Sequence, residues 1–330
     1  MQTTHKTAHP SMTTRDSFVE RDGQMFYKVE QSQWLAPFFI NVVSACDVWM
    51  FLSSRGGITA GRQDAQRAVF PYETDDRLHD QAHTGSKTII RVNEQLWEPF
   101  ARTSLPKWQV TQNIYKAVQG TSVIFEEINL DLSLSFACQY ESSERFGIVK
   151  TAILKNLSDR PVQADILDGL ENIMPCHVDK GLQANASTLV DAYKANELYP
   201  ESQLATYALT TLINDTPNPI EILRANVAWT DCGKAQIALC SQVVEAFIHG
   251  RPYAYGESAY GCKGAYFLRY REEIPSNGQC AHHIVVDHGY DHSTLVALAG
   301  ILAGPITDTL QEDIRRGRER LHHLVAMADG

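Results

Sequence analysis

The sequence of 330 residues has seven cysteines, an odd number, and no two of them form a CxxC pair. Disulfide frameworks and cysteine zinc sites use paired spacings, so neither is expected, nor is any metal site. Reduced thiols in a cytoplasm fit the pattern better. No run of about 18 apolar residues is present, which argues against a membrane-spanning helix. The stretch MQTTHKTAHPSMTTRDS has no apolar centre and does not read as a signal peptide. An excess of basic residues is missing too: 29 Lys and Arg stand against 39 Asp and Glu, a formal charge of −10. Nucleic acid and anionic membranes reward basic patches, so neither is expected as a partner. The segment GITAGR (57–62) lacks the GK[ST] of a phosphate loop, and no cofactor is expected.

What the sequence has is alternation. With 44% hydrophobic residues the chain can bury a large core. From Gln24 onward period-2 patterning dominates. In INLDLSLSFACQY (128–140), Ile128, Leu130, Leu132, Leu134, Phe136, Cys138 and Tyr140 fall on one face. That predicts a long half-buried strand of an antiparallel sheet. Residues 147–172 read as strand, turn, strand, with the turn at Asn156–Pro161. Further strands are predicted at Gln203–Leu212, Pro219–Thr230, Gln236–Leu239, Gly264–Tyr270 and His282–Asp287. The class is therefore mainly β, a large antiparallel sandwich. After Ala303-Gly304-Pro305 the period changes. Ile306, Leu310, Ile314, Leu321, Leu324 and Val325 predict one amphipathic helix of about six turns.

Residues 44–80 carry the densest mixture of chemical types. Two aromatic patches, VWMF and VFPY, flank a glycine-punctuated loop with Arg55 and Arg62, followed by Asp75 and Asp76. Aromatic faces stack on the apolar faces of pyranose rings, and Arg and Asp grip hydroxyls. The expected sugar or interface contacts are Trp49, Arg55, Arg62, Tyr72, Asp75 and Asp76. A solvated turn or helix cap reads equally well from TDDRLHD. No residue is assigned a catalytic role.

The layout as a whole resembles the amino-terminal region of the cellobiose- and chitobiose-phosphorylase-like glycoside phosphorylases. The likeness is carried by the aromatic and glycine-rich segment Trp49–Tyr72, the turn KNLSDRPV (155–162), the motif LDGLEN (167–172) and the run VVDHGYDHSTLVAL (285–298). It implies a galactose-mutarotase-like super-sandwich, a linker helix, and a separate catalytic (α/α)6 barrel. It also implies a possible homodimer, with residues 53–80 approaching the neighbouring protomer. The expected division is a disordered tail over 1–20, a sandwich over 21–303 and a linker helix over 304–330 leading to a missing domain.

Two histidine patterns remain. AHHIVVDHGYDH (281–292) offers His282, His283, Asp287, His288, Asp291 and His292, but on a strand His282 and His283 face opposite sides. A strand running into a helix capped at Asp291 or Ser293 is the plainer reading. His177 could pair with Glu171, Asp179 or Glu257 as a mutarotase acid–base couple. Three functions therefore stand. The first is a carbohydrate-binding or structural domain of a glycoside phosphorylase or hydrolase-like enzyme, inactive alone. The alternatives are a free-standing mutarotase-like aldose epimerase and a non-catalytic carbohydrate-binding module. The expected ligand is a sugar or oligosaccharide.

Overall fold

The computed structural model describes residues 17–79, 83–211, 213 and 223–329. Three antiparallel sheets make up the body. The largest has 11 strands in the order Ser17–Arg21, Gln24–Val29, Val110–Ala117, Ser122–Asn129, Leu134–Ser143, Gly147–Asn156, Gln279–Asp291, Arg224–Thr230, Leu204–Leu209, Lys194–Tyr199 and Ser258–Tyr260. The second has five: Gln236–Ala238, Gly264–Ile274, Val162–Ile173, Gly85–Val92 and Gln95–Trp97. The third has four: Phe39–Val42, Val48–Ser53, Ile58–Arg62 and Ala68–Phe70. The fold is thus a large antiparallel β super-sandwich with a carboxy-terminal helix. All seven cysteines are free thiols. Among the described residues no single helix is long and apolar enough to cross a membrane.

The main core lies where the large sheet faces the two smaller ones. Phe136, Tyr140, Ile148 and Leu154 of the large sheet meet Ile90, Ile166 and Leu268 of the five-stranded sheet and Met50, Ile58 and Phe70 of the four-stranded one. A second cluster covers the outer side of the large sheet. There Phe146, Val149, Trp229 and Val285 pack against Leu298 of the helix His292–Leu302, Leu310 and Ile314 of the helix Thr307–Asp329, and Ile306 just before it. The terminal helix therefore buries the stripe its spacing predicts, but only along its first half. Farther on, Leu324, Val325 and Met327 are exposed. Asp291 caps the preceding helix, accepting the Thr294 N–H at 2.9 Å.

Three expectations need correction. The alternating run 128–140 is not one strand. It is the end of Ser122–Asn129, a turn, and the start of Leu134–Ser143. The side chain of Asn129 accepts the Leu132 N–H at 3.0 Å and Ser133 sits at φ 52°, so Asx-turn chemistry overrides the alternation. The strands on either side of Asn156–Pro161 do not form a hairpin. Gly147–Asn156 pairs within the large sheet and Val162–Ile173 within the five-stranded one, so the turn arches between layers. The predicted tail over 1–20 runs too far, because Ser17–Arg21 is already a strand paired with Gln24–Val29; residues 1–16 lie outside the described residues.

Asn156 holds that arch. It is fully buried, and its amide donates to the carbonyls of Arg160 (2.7 Å), Ile274 (3.2 Å) and Pro275 (3.0 Å). Its carbonyl oxygen accepts the Ser158 N–H at 2.9 Å. Asn156→Ala leaves these groups unsatisfied and is expected to cost about 1–3 kcal/mol in urea unfolding. A loss below a few tenths would mean that water replaces the side chain.

Candidate binding pocket

Residues 44–79 supply three of the four strands of the four-stranded sheet, where a glycine-punctuated loop was expected. Val48, Met50 and Leu52 point into the main core, while Trp49 and Phe51 point outward. Gly61 allows this packing, since a Cβ there would lie 2.3 Å from the Arg67 carbonyl oxygen and 2.9 Å from the Trp49 ring. The outward rings make a row: Phe39 to Phe51 at 5.1 Å, Phe51 to Trp49 at 5.9 Å and Trp49 to Tyr72 at 5.7 Å. Tyr72 and Phe39 are exposed at its ends. Arg55 is exposed in the hairpin turn and its side chain makes no hydrogen bond among the described residues. Arg62 is different. It donates to both carboxyl oxygens of Asp287 (2.6 and 3.1 Å), to Asp47 (2.5 Å) and to the Glu144 carbonyl (2.9 Å). Asp75 and Asp76 open a single helical turn, Asp75–Leu78, and their side chains lie outside the described residues.

Among the described residues His pairs with a carboxylate three times; His249–Glu245, at 3.3 Å, is exposed at the end of the helix Gln242–Ile248, and the other two pairs are buried. His282 faces the core, with Nε2 2.9 Å from Asp168, and Asp168 also accepts Lys150 Nζ at 2.7 Å and Thr88 Oγ1 at 2.5 Å. The Tyr270 hydroxyl lies 3.0 Å from His282 Nδ1. Burial alone would raise the Asp168 carboxyl, but the Lys150 ammonium and the His282 hydrogen bond outweigh it and hold it well below the usual carboxylate range. His283 faces the other way, with Nδ1 2.6 Å from Asp231, which also accepts Thr307 Oγ1 at 2.9 Å. The second pair therefore fastens the terminal helix to the sheet. His282 and His283 take opposite sides as the strand period requires, and among the described residues no group of three ligands could hold a metal.

The open chemistry lies elsewhere. Gln66, Arg67, Cys176, His177, Arg224 and His288 line a pocket of about 290 Å³, close to the lower end of the ~300–1,000 Å³ of small-molecule sites. The turn Ala65–Arg67 brings the first two from the four-stranded sheet. Cys176 and His177 follow the strand Val162–Ile173, anchored by Met174 N–H to the Val69 carbonyl (2.8 Å) and by Asn226 Nδ2 to the Met174 carbonyl (2.8 Å). Val178 N–H closes a turn onto the Pro175 carbonyl at 3.3 Å and leaves His177 at φ 65°. Turns of this shape favour glycine at that position, so the imidazole is held there at a cost.

His288 is half-buried. Its Nε2 lies 4.0 Å from Cys176 Sγ and its Nδ1 has no hydrogen-bond partner among the described residues. Burial and then the charges of His177, Arg67, Arg224 and Arg62 push its pKa down to about 4. Burial pushes the Cys176 thiol up to about 11. His177 thus meets Arg67, Arg224 and His288, not Glu171, Asp179 or Glu257. Asp179 instead caps a helix through the Leu182 N–H at 2.7 Å. Arg67, Arg224 and His288 had no place in the expected site because three distant segments converge only through the sheet order. A larger cavity of about 360 Å³ between Arg145 and the terminal helix is lined by charges that already answer one another. Asp313 there accepts from Ser143 and Arg145, and Glu312 pairs with Arg315 and Arg316.

No family model matches the chain, and no curated protein matches it in sequence. Solved structures share its fold. A bacterial glucoamylase complexed with acarbose aligns at a TM-score of 0.48 with 9% identity, over 87% of this chain and 38% of that one. A protein assigned as a kojibiose phosphorylase from the human microbiome aligns at 0.43 with 8% identity, over 91% and 32%. One assigned as an aldose 1-epimerase from Escherichia coli K12 aligns at 0.36 with 9% identity, over 78% and 100%. The likeness is of fold alone. The chain spans about a third of the length of the first two.

Proposed function

We propose that this chain is a carbohydrate-binding and structural sandwich domain of a glycoside phosphorylase- or hydrolase-like enzyme, with the bond-breaking chemistry in another domain. The observation that carries the reading is the pocket at Arg67, His177, Arg224 and His288, where binding groups come together with no carboxylate in the lining. An epimerase of the mutarotase type needs a general acid and a general base within reach of one sugar, and glycoside cleavage needs two carboxyl groups. The pairs His282–Asp168 and His283–Asp231 are buried, and the exposed pair His249–Glu245 is not part of the pocket lining. The exposed Leu324, Val325 and Met327 support a following domain that covers them. The aromatic row through Trp49 and Tyr72, with Arg55 close by in sequence, supports a second contact to sugar or to a neighbouring protomer.

Calorimetric titration with mono- and disaccharides, beside polarimetry of aldose anomerisation, tests this. Sugar binding without acceleration is expected. His177→Ala with Arg224→Ala is expected to weaken it at least about tenfold, or ~1.4 kcal/mol. Accelerated anomerisation would establish the epimerase instead, and failure to bind any sugar would remove the binding reading.

A further inference from the structure

The pocket has a charge that a neutral sugar leaves unanswered. Arg67 is paired with Asp64 at 2.5 Å, and Arg62 is matched by Asp287 and Asp47. Arg224 has no ion-pair partner among the described residues. Its cross-strand neighbour is Asp291, which is committed to capping the helix that follows. Two guanidinium groups and two imidazoles therefore share a small space with no lining carboxylate.

We propose that this pocket takes the oxyanion of an acidic sugar, the carboxylate of a uronic acid or the phosphate of a sugar phosphate; the inference rests on the sugar-binding reading above. Guanidinium groups match both anions in fork geometry, which an ammonium does not. The hydrogen-bonding state of His288 points the same way. The buried Cys176 keeps its proton, so S–H is a donor toward Nε2, and the neutral ring then carries its remaining proton on Nδ1. That N–H is one of the buried groups without a partner among the described residues, and in this pocket an anionic oxygen is what it would meet. His177 completes the arrangement from the strained turn opposite. Four donor residues thus line one pocket, and the repulsion that adds to burial in keeping His288 neutral is relieved when an anion arrives.

The test is calorimetric titration of the whole chain with glucuronate, glucose 6-phosphate, glucose and inorganic phosphate, at low and high salt. At least one acidic sugar is expected to bind about tenfold more tightly than glucose, and to weaken as salt rises. Arg224→Gln is expected to remove most of that preference. The side chain is exposed, so the fold should hold within about 0.5 kcal/mol, checked by urea unfolding. Binding of glucuronate alone or of glucose 6-phosphate alone supports the inference and names the source of the anion. Glucose binding as tightly as both acids overturns the inference and leaves the sugar-binding reading standing. Inorganic phosphate binding where no sugar binds keeps the oxyanion site and overturns the sugar. No binding by any of the four overturns both, and an unchanged preference in folded Arg224→Gln overturns the assignment of the pocket.

Discussion

Asp168→Ala is expected to lower the unfolding free energy by about 3–5 kcal/mol, a large share of the ~5–15 kcal/mol of an ordinary domain. The reason is the company this carboxylate keeps. Asp168 and Lys150 are completely buried, on facing strands of different sheets, at 2.7 Å. Truncating the acid leaves an ammonium in the core with only the Gly169 carbonyl at 3.1 Å, and takes the acceptor from His282 and Thr88. Asp168→Asn keeps the shape but not the charge, and should lose nearly as much. Lys150→Met combined with Asp168→Leu should recover part of the loss, because an apolar pair needs no compensation. Urea unfolding of these variants measures it. A loss under about 1 kcal/mol for Asp168→Ala would mean that water reaches the ammonium.

The same pair gives a pH signature. The folded Asp168 carboxyl lies below its unfolded value of roughly 3.9. A depressed acid contributes its full stability above the unfolded value. That contribution fades as pH falls below about 3.9 toward the folded pKa, because the unfolded chain takes up the proton first. Stability should therefore fall more steeply in acid for the wild type than for Asp168→Asn. Equal slopes would show that Asp168 is not ionised in the fold.

This network marks the limit of what sequence alone could give. Alternation in GIVKTAILKN identifies a strand correctly, and Ile148, Ala152 and Leu154 share the core face as the period requires. Lys150 falls on that same face, where a lysine normally argues for solvent. Its partner Asp168 comes from LDGLEN, in a strand packed on both sides, with Leu167 and Ala238 in a separate cluster beneath. The pairing depends on which strands stack, and period-2 patterning carries no such information. The terminal helix was legible because its apolar spacing is local. The pocket was not, because Arg67, His177, Arg224 and His288 become neighbours only through the order of strands in the sheets. His177 and His288 drew notice in the sequence separately, one beside expected carboxylates and the other in a histidine run, and nothing there joined them.

Arg62 and Arg55 looked equivalent as candidate contacts, and the structure separates them. Arg62→Ala is expected to cost about 2–3 kcal/mol, between a surface pair and a fully buried one. It strips both hydrogen bonds from one side of Asp287, a carboxylate only 4% exposed in its side chain, and leaves it the Tyr290 hydroxyl at 3.0 Å and the His288 N–H at 2.8 Å. It also unties the four-stranded sheet from the strand Gln279–Asp291 and from the Glu144 carbonyl. Arg62→Lys should recover only part, since an ammonium cannot bridge both carboxyl oxygens, Asp47 and a carbonyl at once. Arg55→Ala should stay within about 0.5 kcal/mol, because its side chain is exposed. Any effect of Arg55 must then appear in binding to sugar or to another protomer, and any loss of binding in Arg62→Ala must be read after its stability has been measured. Urea unfolding and ligand titration on the two variants give both quantities. A stable Arg62→Ala that binds poorly would return Arg62 to the ligand, and an unstable one that binds normally once folded would assign it wholly to the joint between the sheets.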